Sequence, residues 1–262
     1  MNEIFERAIK GLPLENIQII DCHCHMGFWH RFHIPENTAE GMLQNMDSLG
    51  IAISCVAHHS SIFPNYRFGN DEVIKALEKY PKRFIGYATL NPHYPEDMKN
   101  EIDRCFSFPG IRGIKLHPDC HGCTIDYRNY HIAYEVANEK GCPVLIHVWG
   151  QDQVAIMGKL AGQYPKAKFI MGHAGGGIRA MEDAIEVVVR HDNVFADLAL
   201  SRTYEGNVEW LAREMGADKV LFGTDHPFLD PRPTLGRVAL AEISDEDKSK
   251  IFGRNMARLL GI

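Results

Sequence analysis

The segment Asp21-Cys22-His23-Cys24-His25 carries two imidazoles two residues apart, directly after the apolar run Ile17-Gln18-Ile19-Ile20. Side chains of a strand alternate faces, so His23 and His25 should project to one side and Cys22 and Cys24 to the other. Two imidazoles at a strand end make half of a tetrahedral zinc site. A lone pair of this kind is common where a strand becomes a loop. It gains meaning only if further ligands stand at later strand ends. Cys22 and Cys24 are expected to face the helical layer as small apolar groups.

Later apolar runs do end in such groups: His58-His59, Asn91 and His93, Lys115 and His117, His147, His173, Asp197 and Ser201, and Asp225-His226. Each has a plain structural reading. His147 closes Pro143-Val144-Leu145-Ile146, His173 precedes the turn Gly175-Gly176-Gly177, and Asp225 stands two residues before Pro227. As an ordered set they concentrate metal-capable groups. Three histidines and a carboxylate suit zinc, with manganese or iron as alternatives. A water on such an ion falls from a pKa of about 15.7 to roughly 7. A carboxylate beside it can take the proton, and a further imidazole can orient the water or polarise a carbonyl.

The elements that would position these groups follow from the hydrophobic pattern. Candidate strands are 17–22, 51–57, 83–89, 111–116, 143–148, 167–172, 193–198 and 219–223. Helical stretches fall between them at 39–49, 71–80, 95–106, 127–140, 151–164, 177–190 and 205–215. In 127–140, Tyr130, Ala133, Tyr134 and Ala137 recur at helical steps, and Val73, Ile74 and Leu77 form a second stripe. Lys140-Gly141 followed by Pro143, and Tyr80-Pro81, are helix-ending signals. Parallel neighbours need crossovers. Eight βα units therefore predict an α/β fold, a single (β/α)8 TIM barrel of parallel strands with outer helices, spanning 1–262 as one domain with a short helical extension at each end. An open doubly wound sheet would carry a glycine-rich turn after its first strand, where this chain has Asp21–His25.

With 28 Lys and Arg against 34 Asp and Glu, the net charge of -6 argues against a nucleic-acid or membrane-surface binder. No apolar run approaches the roughly 20 residues that span a bilayer, and the charged start Met1–Arg7 reads as an amphipathic helix rather than a signal peptide. Seven cysteines, an odd number in 262 residues, read as reduced thiols in a cytoplasmic protein.

These motifs resemble the amidohydrolase superfamily, in particular the branch of aminocarboxymuconate-semialdehyde decarboxylase and related hydratases and lactonases. The resemblance runs from Ile19 to Pro227 through Asp21–His25, Gly113-Ile114-Lys115-Leu116-His117-Pro118, Leu145-Ile146-His147, Met171-Gly172-His173-Ala174-Gly175-Gly176 and Phe222-Gly223-Thr224-Asp225-His226-Pro227. It implies His23, His25, His147 and Asp225 as ligands of one divalent ion, with His173 and Asp225 as the catalytic pair managing the proton of a metal-bound water. In two-metal members the sixth-strand histidine, here His173, is a ligand, and a carbamylated fourth-strand lysine, here Lys115, bridges the ions. A buried ammonium beside a divalent cation is unfavourable, so near the ion Lys115 should be modified or neutral. At the pocket wall it could stay charged and bind an acid. One ion with a substrate-binding Lys115 is the preferred expectation, with His117 on the same face and Trp149 as a pocket wall. Arg202 is a second candidate for a negatively charged substrate group.

Phe28, Trp29, His30, Arg31, Phe32 and His33 form an aromatic first loop, suited to clamp a planar substrate or to pack over the barrel mouth or into a subunit interface. Cys120-His121-Gly122-Cys123 has C-x-x-C spacing, but on a loop after the fourth strand it reads as incidental. Gly175–Gly177 before a helix could hold an anion. The leading expectation is a metal-dependent hydrolase of a small carboxylated or carbonyl-bearing metabolite, with decarboxylase or hydratase/lyase chemistry as the alternative. A nuclease or phosphoesterase is disfavoured by the acidic balance and by lysine on the fourth strand, and a non-catalytic metal-bound barrel has no need of the full ligand set. A homo-oligomer is left open.

Overall fold

In the computed structural model, which describes residues 3–199 and 204–262, eight strands run in the sheet order β1 to β8 with every adjacent pair parallel. They are β1 Ile19–Met26, β2 Ile51–His58, β3 Phe84–Thr89, β4 Ile111–Leu116, β5 Pro143–His147, β6 Lys168–Gly172, β7 Val194–Asp197 and β8 Val220–Leu221. The ring closes through backbone bonds between β1 and the chain after β8: Cys22 N–H to Phe222 O, His25 N–H to His226 O and Asp225 N–H to His23 O. This is the expected (β/α)8 barrel.

Helices start and stop where local chemistry allows. Ala39–Leu49 is capped by Thr38, whose hydroxyl accepts from Gly41 N–H at 3.2 Å, and ends on Gly50 at φ 80°. Pro231–Leu240 follows an Asp230 cap with proline in the first turn. The helix expected over 71–80 begins earlier, at Tyr66. Gly69 and Asn70, poor helix formers, are held there by tertiary contact. The Asn70 side chain bonds both backbone groups facing it at Thr89 N and Thr89 O, and Glu101 Oε1.

Two apolar layers result. The inner one fills the barrel with Ile20, Cys22, Cys55, Tyr87, Leu145, Ile170, Phe195 and Leu221. The helix Asn255–Leu260 adds Met256, Leu259 and Leu260 to it. The segment just before this helix meets the barrel at Gly253, where an added Cβ would lie 2.2 Å from Gln18 O. Gln18 immediately precedes β1, so the C-terminal segment plugs the end opposite the histidines.

The two cysteines of β1 do not share a face. Cys24 joins the outer layer under the helices, as expected, but Cys22 points into the barrel. The reason is a register shift between Asp21 and Cys24 in the pairing with β2, which interrupts the alternation. Below it the inward positions are Ile20 and Cys22. Above it they are His23 and His25, lifted to the mouth.

Candidate metal centre

His23 is held through both ring nitrogens. Its Nδ1 lies 2.8 Å from Asp197 Oδ2. Asp197 Oδ1 accepts the backbone N–H of His173 at 2.8 Å and of Ala199 at 3.0 Å. The Asp197 carboxylate can only accept, so Nδ1 carries the hydrogen and Nε2 presents a lone pair to the barrel axis. Asp225 Oδ1 lies 3.5 Å from that Nε2 and 3.2 Å from His25 Nε2. The three donor groups of His23, His25 and Asp225 lie within 4.8 Å of one another. His23, His173 and Asp197 satisfy the same distance. Both Asp197 oxygens are already taken by hydrogen bonds, so this second set orients rather than ligates.

His173 donates from Nδ1 to the carbonyl of Ala199 and turns Nε2 toward His147 Nδ1, 2.9 Å away. His147 in turn places Nε2 3.2 Å from Asp119 Oδ2. Each outer nitrogen thus faces a pure acceptor, and the two inner nitrogens face each other. Two nitrogens in this position need a hydrogen on one of them or an ion held by one of them, and the buried Nδ1 of His25 has no hydrogen-bond partner. A divalent ion suits this donor set: imidazole lone pairs and one carboxylate converging in a buried pocket.

The electrostatics agree. Burial, followed by the Lys115 charge, drives His23 well below its ordinary pKa, and burial lowers His25 to about 3. His173 is lowered by burial and then by His147. All three are neutral near pH 7, the form that ligates. His173 and Asp225 also take the left-handed backbone conformation, φ 63° and 64°, pinned by the bonds from His173 N–H to Asp197 and from Asp225 N–H to His23 O. That conformation is uncommon outside glycine and clusters at functional sites.

The expected residues are thus partly brought together. His23, His25 and Asp225 converge, and His173 stands beside them with its ring centroid 4.9 Å from that of His23. His147 reaches the group only through His173. Lys115 lies beneath the ligands rather than on a wall: it is fully buried, with Nζ 2.8 Å from His23 Nε2. Burial lowers its pKa to about 8, against the pull of Asp225 and Asp197. Above the centre opens a cavity of about 220 Å³ lined by His25, Trp29, His59, Ile62, His117, Cys120, His147, Asp225 and Phe228. His117 stacks on His147 at 4.0 Å with the planes 12° apart. Trp149 lies parallel to His147 with centroids 6.2 Å apart, outside the cavity lining. The first loop folds back through a Trp29–Phe32 bridge, and Trp29 meets His59 and Phe228 edge-on. Ser201 and Arg202 lie outside the described residues. Sequence reasoning gave no role to Asp197, Asp119, His59 or Phe228. Asp197 did stand at a strand end, whereas Asp119, in the helical turn after β4, and Phe228 show no metal-like spacing.

The family model described as amidohydrolase matches residues 20–262. A 2-amino-3-carboxymuconate-6-semialdehyde decarboxylase of Dictyostelium discoideum is 25% identical over 235 residues, covering 74% of this chain and 65% of that protein. The match thus spans less than two thirds of that relative's length. A 2-keto-4-carboxy-3-hexenedioate hydratase of a Sphingobium strain is 25% identical over 242 residues, covering 72% of this chain and 69% of the relative. Among solved structures, a 5-carboxyvanillate decarboxylase of Novosphingobium aromaticivorans, complexed with manganese and 4-hydroxy-3-methoxy-5-nitrobenzoic acid, superposes with a TM-score of 0.73. It is 17% identical and covers 95% of this chain and 97% of its own, a likeness of fold. No helix of the described residues is long and apolar enough to cross a membrane. With the family match spanning nearly all of the barrel and a donor set convergent at its mouth, the chain belongs to the amidohydrolase family of enzymes.

Proposed function

We propose that this protein is a metal-dependent decarboxylase of a small, flat, unsaturated or aromatic carboxylic acid. The observation that carries the reading is the convergence of His23, His25 and Asp225 at the floor of a ring-walled cavity. His147, with its bare Nδ1, is the fourth group we assign to the ion. The decarboxylase names among the relatives and structural neighbours support C–C cleavage above hydrolysis, the first expectation from the residues. Zinc and manganese both fit nitrogen and oxygen donors, and manganese is the ion of the carboxyvanillate enzyme.

When bound, a divalent ion supplies Lewis-acid stabilisation of negative charge developing on the substrate. The chain's own groups do the rest. The rings of Trp29, His59, His117 and Phe228 line the cavity and suit a flat molecule. The bond between the substrate carbon and its carboxylate breaks, the electron pair stays on the carbon, carbon dioxide leaves, and that carbon takes up one proton. His173 Nε2 and Asp225 are the groups placed to hold and pass that proton. The named hydratase relative supports a second reading, in which water adds across a carbon–carbon double bond in the same cavity.

The test is a panel of carboxylated muconic, hexenedioic and hydroxybenzoic acids with manganese- or zinc-loaded protein, followed by released carbon dioxide and product mass. One carbon dioxide per substrate consumed is expected. Products that gain a water and release none establish the second reading, and a panel turned over in neither way sinks both.

A further inference from the structure

We infer that Asp119 is the positioning residue of His147 and that its carboxylate sets how tightly the site holds its divalent ion. The inference rests on the metal-dependent reading above. After β4 the chain makes one helical turn, Pro118–His121, whose cap is His117: its side chain accepts from Cys120 N–H at 3.4 Å. That turn carries Asp119 over the end of β5, with Oδ2 3.2 Å from His147 Nε2. Among the described residues no lysine or arginine lies within ion-pair distance of Asp119, so the carboxylate is directed at the imidazole alone.

The consequence is a choice of tautomer. A neutral imidazole carries one hydrogen, and an acceptor at Nε2 places it there, leaving Nδ1 bare. Nδ1 is the nitrogen turned inward, 2.9 Å from His173 Nε2. Without the carboxylate, the hydrogen would move to Nδ1 and bond His173, turning a ligand into a donor. The His117 ring, stacked 4.0 Å away, keeps the imidazole from swinging out of this plane. Asp119 thus stands behind His147 as Asp197 stands behind His23, 3.2 and 2.8 Å from the outer nitrogen, and a carboxylate so placed fixes the ring's hydrogen and orientation.

The experiment strips the protein with chelator, reloads it with manganese or zinc, and measures the dissociation constant by competition with a metal-binding dye. Asp119→Ala should weaken the ion about 10- to 100-fold. The melting temperature of the metal-free protein should stay at the wild-type value, because Asp119 is 45% exposed. Asp119→Asn, which keeps an acceptor oxygen for Nε2–H, should recover most of that loss. An Asp119→Ala protein within about twofold of wild-type affinity overturns the inference, as does an asparagine variant no better than alanine. A wild-type protein that takes up neither ion overturns the metal-dependent reading itself, a result the variants are not needed to see.

Discussion

Hydrogen placement dominates at the scale of single residues. His23, His147 and His173 each have an acceptor behind them, in Asp197, Asp119 and the Ala199 carbonyl, and each turns its other nitrogen inward. Asp225 is the one carboxylate with an oxygen facing two of the imidazoles. Asp225→Asn, which removes that charge at nearly constant shape, should lower turnover by at least about 10²-fold while the far-ultraviolet circular dichroism stays that of the wild type. Near-normal rates would contradict the role given to it. His173→Gln should cost about 10²- to 10⁴-fold in kcat, the range of a lost proton-transfer group, while the metal content per chain is kept. Loss of the ion in that variant would instead make His173 a ligand.

The decisive element is the seam between β1 and the chain after β8, because it brings His23 and His25 to Asp225. Asp21 holds it. Its Oδ1 accepts the N–H of His23 and of Thr224, each at 3.1 Å, and its Oδ2 accepts the Thr224 hydroxyl at 2.5 Å. Asp21→Ala leaves these buried donors without partners, at about 1–3 kcal/mol each. The melting temperature should fall by roughly 2–4 °C for each kcal/mol lost. Thermal unfolding measures this, and an unchanged transition would show that the seam is held elsewhere. Pattern reading located these elements well: β4 and the helices Ala39–Leu49 and Pro95–Phe106 begin and end where predicted. The register shift inside β1 was illegible, because nothing in Asp21–Cys24 marks a residue that breaks alternation. It decided that Cys22 points inward. The early start of the helix at Tyr66 was hidden for a similar reason, since Asn70 is held by partners from β3 and the helix Pro95–Phe106.

For the whole molecule, the barrel and its ion should be separable. Apolar groups from seven of the eight strands fill the interior, and the helix Asn255–Leu260 plugs the far end, so chelation should abolish turnover and leave the chain folded. Activity should return on adding manganese or zinc, while unfolding on chelation would assign the ion a structural role. Acid should act on the fold through buried imidazoles away from the ligands. His121 is bonded to Tyr130 Oη at 2.5 Å and to Ile62 O at 2.7 Å, and burial lowers its pKa from 6.5 to about 4. The unfolded chain therefore binds a proton that the folded one refuses between those values. The stabilisation is complete above pH 6.5 and is lost as pH falls toward 4, at about 1.4 kcal/mol for each pH unit crossed. His121→Gln should flatten the pH dependence of urea stability across that window, and an undiminished slope would place the effect on another group.

Much of this protein was written in linear order. Alternating apolar runs and helical stripes specify eight βα units, and chemistry-bearing residues at strand ends specify one active rim, because backbone periodicity and strand direction are local properties. Tertiary structure alone decided the finer matters. It placed Lys115 beneath His23 rather than on the cavity wall, and set His147 between Asp119 and His173. It also gave His23, His147 and His173 the acceptors that face their outer nitrogens. Those choices depend on angles and distances of a few ångströms between segments about 30 to 175 residues apart, and no spacing along a chain encodes them.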